Sequence, residues 1–208
     1  GKAAFYESSV ERITIPSEVI SIGKYAFFGC EKLQQVEFAK DSKLEVIEKS
    51  SFEKTSIEEI IIPPDVVKIG KYAFSDCQNL QQIEFAKNSK LQLIEKFAFH
   101  RTSIESIIIP SEVIKIEEGA FKWCPLSQEI EFAKDSKLQI IENEVFQYTI
   151  IDSITIPSSV MRIGDSAFDS CENLQIIEFT ENSKLQTIGE DVFYLAPIES
   201  LSIPSELI

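Results

Sequence analysis

Short stretches of this chain alternate strictly between apolar and polar residues, and they recur. In Gln35-Val36-Glu37-Phe38 the alternation predicts a strand with Val36 and Phe38 inward and Gln35 and Glu37 outward. Leu33 stands ahead of it in the spacing L-x-x-I-x-I, which returns as Ile57, Ile60 and Ile62. Nine such strands are predicted, centred near Thr14, Glu37, Ile61, Glu84, Ile108, Glu131, Thr155, Glu178 and Ser202. No apolar run approaches the roughly 18 residues of a membrane span.

The pattern is periodic at a longer scale. Pro16, Pro63, Pro110, Pro157 and Pro204 are 47 residues apart, and so are Cys30, Cys77, Cys124 and Cys171. Phe38, Phe85, Phe132 and Phe179 keep the same interval. The unit divides again: Ile22, Ala26-Phe27 and Cys30 align with Ile47, Ser51-Phe52 and Thr55. The chain is therefore a series of 23/24-residue coils of two alternating kinds. Kind A reads I-x-I-P-S-x-V, and kind B reads I-E-F-x-x-x-S-K-L. Such spacing predicts a leucine-rich-repeat solenoid, an α/β fold with one short strand per coil on a parallel concave sheet. Coils stacked at about 4.8 Å give an array about 40 Å long. The proline follows the strand, where no ladder donor is needed. The segment from Gly23 to Cys30 is the convex return, expected as a turn or short helical piece. In the third A coil Ser127 replaces the leucine of Leu33, Leu80 and Leu174, with Pro125 and Leu126 beside it, so a local shift is expected there. Residues 1–208 read as a single array. Neither end carries a polar cap, which predicts a piece of a longer array whose strand edges can stack on other copies.

Charge narrows the partners. Twenty lysines and arginines against 34 aspartates and glutamates give a net charge of −14. That repels phosphate backbones and anionic membranes and favours basic proteins. No signal peptide opens the chain, and no N-x-[ST] sequon is present.

The candidate chemistry is mostly geometry. Successive cysteines lie two coils, or about 10 Å, apart, too far for a disulfide. Their spacing gives no zinc site, and B coils place Thr55, Thr102, Thr149 and Ala196 in the same column. A small half-polar residue filling a turn, with a reduced thiol, fits both. His100 shares its column with Glu53, Gln147 and Tyr194, which predicts a solvent-facing ring without a second ligand or a nucleophile in register. Ser42-Lys43, Ser89-Lys90, Ser136-Lys137 and Ser183-Lys184 read either as a turn closed by the serine or as a polar ligand stripe. The tyrosines and Trp123 look scattered. Glu37, Glu84, Glu131 and Glu178 should point outward from B strands, with Ile61 and Ile108 between them on A strands. Gln35, Gln82, Glu129 and Ile176 fill the neighbouring outward column, with Glu59 and Ser106 on A coils. This face reads either as a solvated sheet or as a protein-binding surface. Carboxylates so spaced are too open for a calcium cage. No catalytic residue, cofactor site or metal site is predicted.

"ITIPSSVMRIGDSAFDSCENLQIIEF" (residues 154–179) resembles the BspA-like leucine-rich repeats, marked by I-P-x-x-V, I-G-x-x-A-F and C-x-x-L. The alternating "FAKNSKLQLI" coils look like versions in surface proteins of mucosal protists; the family is also one of host-associated bacteria. The resemblance implies a right-handed solenoid and a non-enzymatic cell-surface or secreted protein that adheres to host, matrix or microbial proteins. A passive spacer and an intracellular scaffold are the alternatives.

Overall fold

The computed structural model describes residues 1–127 and 129–201. The chain winds through stacked coils, each contributing one strand to a first parallel sheet. These strands are β1 (Arg12–Ile15), β3 (Gln35–Phe38), β5 (Glu59–Ile62), β7 (Gln82–Phe85), β9 (Ser106–Ile109), β11 (Glu129–Phe132), β13 (Ser153–Ile156), β15 (Ile176–Phe179) and β17 (Ser200–Leu201). The first eight contain the predicted centres Thr14 to Glu178, and the ninth predicted centre, Ser202, lies outside the described residues. A second parallel sheet, not foreseen from sequence, is built of two-residue strands. It comprises β2 (Ser21–Ile22), β4 (Val46–Ile47), β6 (Lys68–Ile69), β8 (Leu93–Ile94), β10 (Lys115–Ile116), β12 (Ile140–Ile141), β14 (Arg162–Ile163) and β16 (Thr187–Ile188).

The first sheet is paired unevenly. Each A strand meets the following B strand over four residues, as in Glu59↔Gln82 through Ile62↔Phe85. The first three B strands meet the next A strand more loosely: β3 and β7 pair with β5 and β9 at one position only, Gln35↔Glu59 and Gln82↔Ser106. Among the described residues β11 and β13 share no ladder pair, and the sheet divides there. The cause is in the sequence. After a B strand, Ala39, Ala86 and Ala133 donate their amides to Ile15, Ile62 and Ile109 of the preceding A coil at 2.9–3.0 Å. The equivalent residue of an A coil is Pro63, Pro110 or Pro157, which has no N–H to return to the B coil before it. The 47-residue doublet is thus a structural unit.

The core runs the length of the array. From one leucine position to the next cysteine, Ile57, Ile60, Ile62, Val66, Ile69, Phe74 and Cys77 are all buried. One phenylalanine per coil forms a continuous stack through Phe5, Phe27, Phe52, Phe74, Phe99, Phe121, Phe146, Phe168 and Phe193. Neighbouring centroids are 5.0–5.9 Å apart and the rings lie within 18° of parallel.

The return segment is a turn, and among the described residues the fold has no helix, which corrects the α component of the expectation. Residues two before and two after each stacked phenylalanine take positive φ, as do Ser50 and Lys54 around Phe52 or Tyr72 and Asp76 around Phe74. A helix requires negative φ throughout. The turns instead bond between coils: Phe27 donates to Ser51 O at 2.7 Å and Phe74 to Ala98 O at 2.8 Å. In the third A coil the shift is present. Leu126, at φ 45°, is buried one residue early while Ser127 is exposed.

Candidate binding face

The outward row of the first sheet follows from strand alternation. The registers place Thr14 beside Glu37, Ile61 beside Glu84, Ile108 beside Glu131 and Thr155 beside Glu178. Every one of these side chains is exposed, with Ile61 at 59% and Ile108 at 58%. Isoleucines so exposed in the middle of a sheet leave more than half of their surface to water. The row reads carboxylate, isoleucine, carboxylate along the array axis, one rung per coil.

The loose B-to-A steps open three depressions in this face. One, of about 630 Å³, is lined by Glu84, Phe85, Ile108, Pro110 and Glu131. Its equivalent 47 residues earlier, about 510 Å³, is lined by Glu37, Phe38, Ile61, Pro63 and Glu84. The third, at the β11/β13 division, has Thr155 where the others have isoleucine. The gap left by the missing amide thus lies next to the exposed apolar side chain.

The electrostatics are one-sided. Sequence reasoning missed a second acidic column, Glu11, Glu58, Glu105, Asp152 and Glu199, which precedes the A strands at the same 47-residue interval. Interval counting of acidic residues alone would have found it. Among the described outward residues of the first sheet's strands Arg12 is the only cation. Gln35 Nε2 donates to Glu37 Oε1 at 2.7 Å. The Glu131 carboxylate beside Glu129 holds the Glu129 carboxyl above its ordinary range, with lesser help from desolvation and Asp152. Exposed Lys40, Lys87 and Lys134 stand on the rim beyond the strands.

Elsewhere the side chains serve the fold. Ser42, Ser89, Ser136 and Ser183 accept from the amide two residues on at 3.3–3.4 Å, which is the turn alternative. Lys43, Lys90 and Lys137 reach back one coil to Glu18, Asp65 and Glu112 at 2.7–2.8 Å. In the fourth doublet the acid is replaced by Ser159. All four cysteines are free and buried. Cys77, Cys124 and Cys171 donate to the carbonyls of Phe52, Phe99 and Phe146 at 2.9–3.1 Å, and Thr55, Thr102 and Thr149 share those acceptors. Burial pushes the thiols up, Cys77 and Cys171 to about 11 and Cys124 to about 12. Such thiols are poor nucleophiles at neutral pH.

Two expectations need correction. His100 is half-buried rather than free in solvent: its ring meets Phe97 edge-on, and Ser75, in register one coil earlier, lies 3.4 Å from Nδ1. A serine therefore does share its column. That hydroxyl also donates to Asp76, and burial lowers the His100 pKa. The aromatic residues are not scattered either. Trp123 stacks on Tyr148 at 4.0 Å, and Tyr72 on Phe97 at 5.3 Å, on the outer turns. Among the described residues no group of three or more His, Cys, Asp or Glu is placed to hold a metal.

Stacked coils, parallel strands and a single repeat register define a leucine-rich-repeat solenoid. The chain belongs to the BspA type leucine rich repeat family, whose profile matches in six copies over residues 1–127 and 92–208. It is similar in structure to the pneumococcal vaccine antigen PcpA, with 27% identity and a TM-score of 0.70 over 95% of this chain and 51% of that one. It therefore spans about half of that protein's solved chain. A leucine rich cell surface protein from Faecalibacterium prausnitzii A2-165 is 21% identical, with a TM-score of 0.51 over 99% of this chain and 70% of that one. The leucine rich repeat protein of T. pallidum is 19% identical, with a TM-score of 0.54 over 90% and 84%. The last two likenesses concern the fold alone. No curated protein sequence matches the chain.

Proposed function

We propose that this array is a non-enzymatic protein-interaction module of a cell-surface or secreted, adhesin-like protein, and that it binds host, matrix or microbial proteins through its strand face. Glu37, Glu84, Glu131 and Glu178 steer a basic partner, and Ile61 and Ile108 supply apolar contact. The observation that carries this reading is the pair of isoleucines, each exposed, each flanked by carboxylates and each at a depression. Exposed apolar side chains framed by polar ones mark protein contacts. The surface setting draws on the likeness to PcpA, a vaccine antigen.

The test is a binding screen against matrix and cell-surface proteins, at low and high salt, with the wild type and the double variant Ile61→Lys, Ile108→Lys. Binding through the strand face is lost in the double variant and weakened by salt. A ligand held equally well by both proteins rules that face out.

A further inference from the structure

The row along the sheet specifies more than a basic partner. At equal height on successive strands stand Glu37, Ile61, Glu84, Ile108 and Glu131, so carboxylate and isoleucine alternate at every coil. Paired coils stack at about 4.8 Å and the loosened steps are no tighter, so the pattern repeats at about 10 Å. Both depressions obey that repeat, because each sits at a step where proline withholds its amide.

An extended chain laid along the array axis must match this interval. A β-strand advances about 10 Å in three residues, but its side chains alternate, so residues three apart face opposite ways. A polyproline-II chain advances about 9.3 Å in three residues and has three residues per turn, so residues three apart face the same way. Its backbone polar groups stay solvated, so it asks no hydrogen bonds of the sheet. Of the extended conformations, this one alone puts an apolar side chain on Ile61 and the next on Ile108.

Resting on the strand-face reading above, we infer that the site takes a basic polyproline-II segment of a partner protein, with an apolar side chain every third residue on Ile61 and Ile108 and lysine or arginine between them on Glu37, Glu84 and Glu131. The acidic column through Glu58 and Asp152 adds to the attraction for such a segment. The lysines of the rim, Lys40, Lys87 and Lys134, keep it centred on the strands. The third depression, with Thr155 in place of isoleucine, takes a smaller or polar residue.

Two fluorescein-labelled peptides of equal composition test this: a Pro-Leu-Arg repeat, and a permutation with leucines two and four residues apart. Anisotropy titrations at about 50 and about 300 mM salt measure binding. We expect the period-three peptide to bind at least about tenfold more tightly than the permuted one. We also expect Ile61→Lys, Ile108→Lys to erase that difference, and Glu84→Gln to reduce the salt dependence of the period-three peptide. Glu84 and both isoleucines are exposed, so circular dichroism of the variants should match the wild type. Equal binding of the two peptides, lost in the double variant, overturns the period-three ligand and leaves the strand face standing. Binding unaffected by the double variant overturns both. No binding of the period-three peptide overturns the inference.

Discussion

The column of stacked phenylalanines and the outward row of the first sheet are both sampled once per coil, yet they behave oppositely. Inside, the same residue occurs in every coil from Phe5 to Phe193, and six of the rings are fully buried. Outside, the row changes from threonine to glutamate to isoleucine while the backbone register stays fixed. A rung of the inner column touches rings on both sides, so one altered rung disturbs two neighbours. A rung of the outer row touches mostly water, and its identity is set by what else it meets.

The widest separation between the two should come from truncation. Phe99→Ala leaves a ring-sized cavity in the stack and should cost about 3–5 kcal/mol in urea unfolding. Ile108→Ala on the outer row should change stability by less than about 0.5 kcal/mol. Comparable losses would mean that the strand face also holds the array together.

The cysteines give a pH-dependent version of the same contrast. A thiol harder to ionise folded than unfolded contributes stability while both states are neutral, and loses it as pH rises past the unfolded value. For Cys77, Cys124 and Cys171 that loss should run from about pH 8.5 to about pH 11 and beyond. Replacing all three by threonine, the residue B coils use, should flatten the alkaline limb of a stability-versus-pH curve. An unchanged limb would assign the alkaline loss to other groups.

Smaller effects sharpen the picture. Thr102→Val removes the hydroxyl that donates to Phe99 O at 3.0 Å and leaves the shape intact, so it should cost about 1 kcal/mol in urea unfolding. Ser159→Glu restores the acid that Lys184 lacks in the fourth doublet. Because the corresponding pairs elsewhere are exposed, it should add only about 0.3 kcal/mol, lost at high salt.

The strands were legible because four-residue segments such as Gln35–Phe38 contain two full alternations. The second sheet was not, because Ser21–Ile22 or Lys68–Ile69 contains one, which any loop can show by chance. The turns around the phenylalanines were open in sequence because their positive-φ residues include Tyr25, Lys54 and Trp123, types with no preference for that conformation. Inter-coil packing imposes it. The carboxylates and isoleucines of the outer row were readable by counting residues. The depressions beside them were not, since they depend on which amide is missing from a neighbouring coil. The contacts of His100 with Ser75 and of Trp123 with Tyr148 depend in the same way on partners a whole coil away.

The missing amide also governs how such a chain can change length. Each proline coil leans on an alanine coil after it and stands off from the one before. Removing one coil would set two of the same kind together, proline against proline or alanine against alanine, and break that order. Removing a whole doublet would rejoin identical surfaces. Genes for arrays of this design should therefore grow and shrink in steps of 47 codons, and each step should add or delete one position of the row that meets a partner.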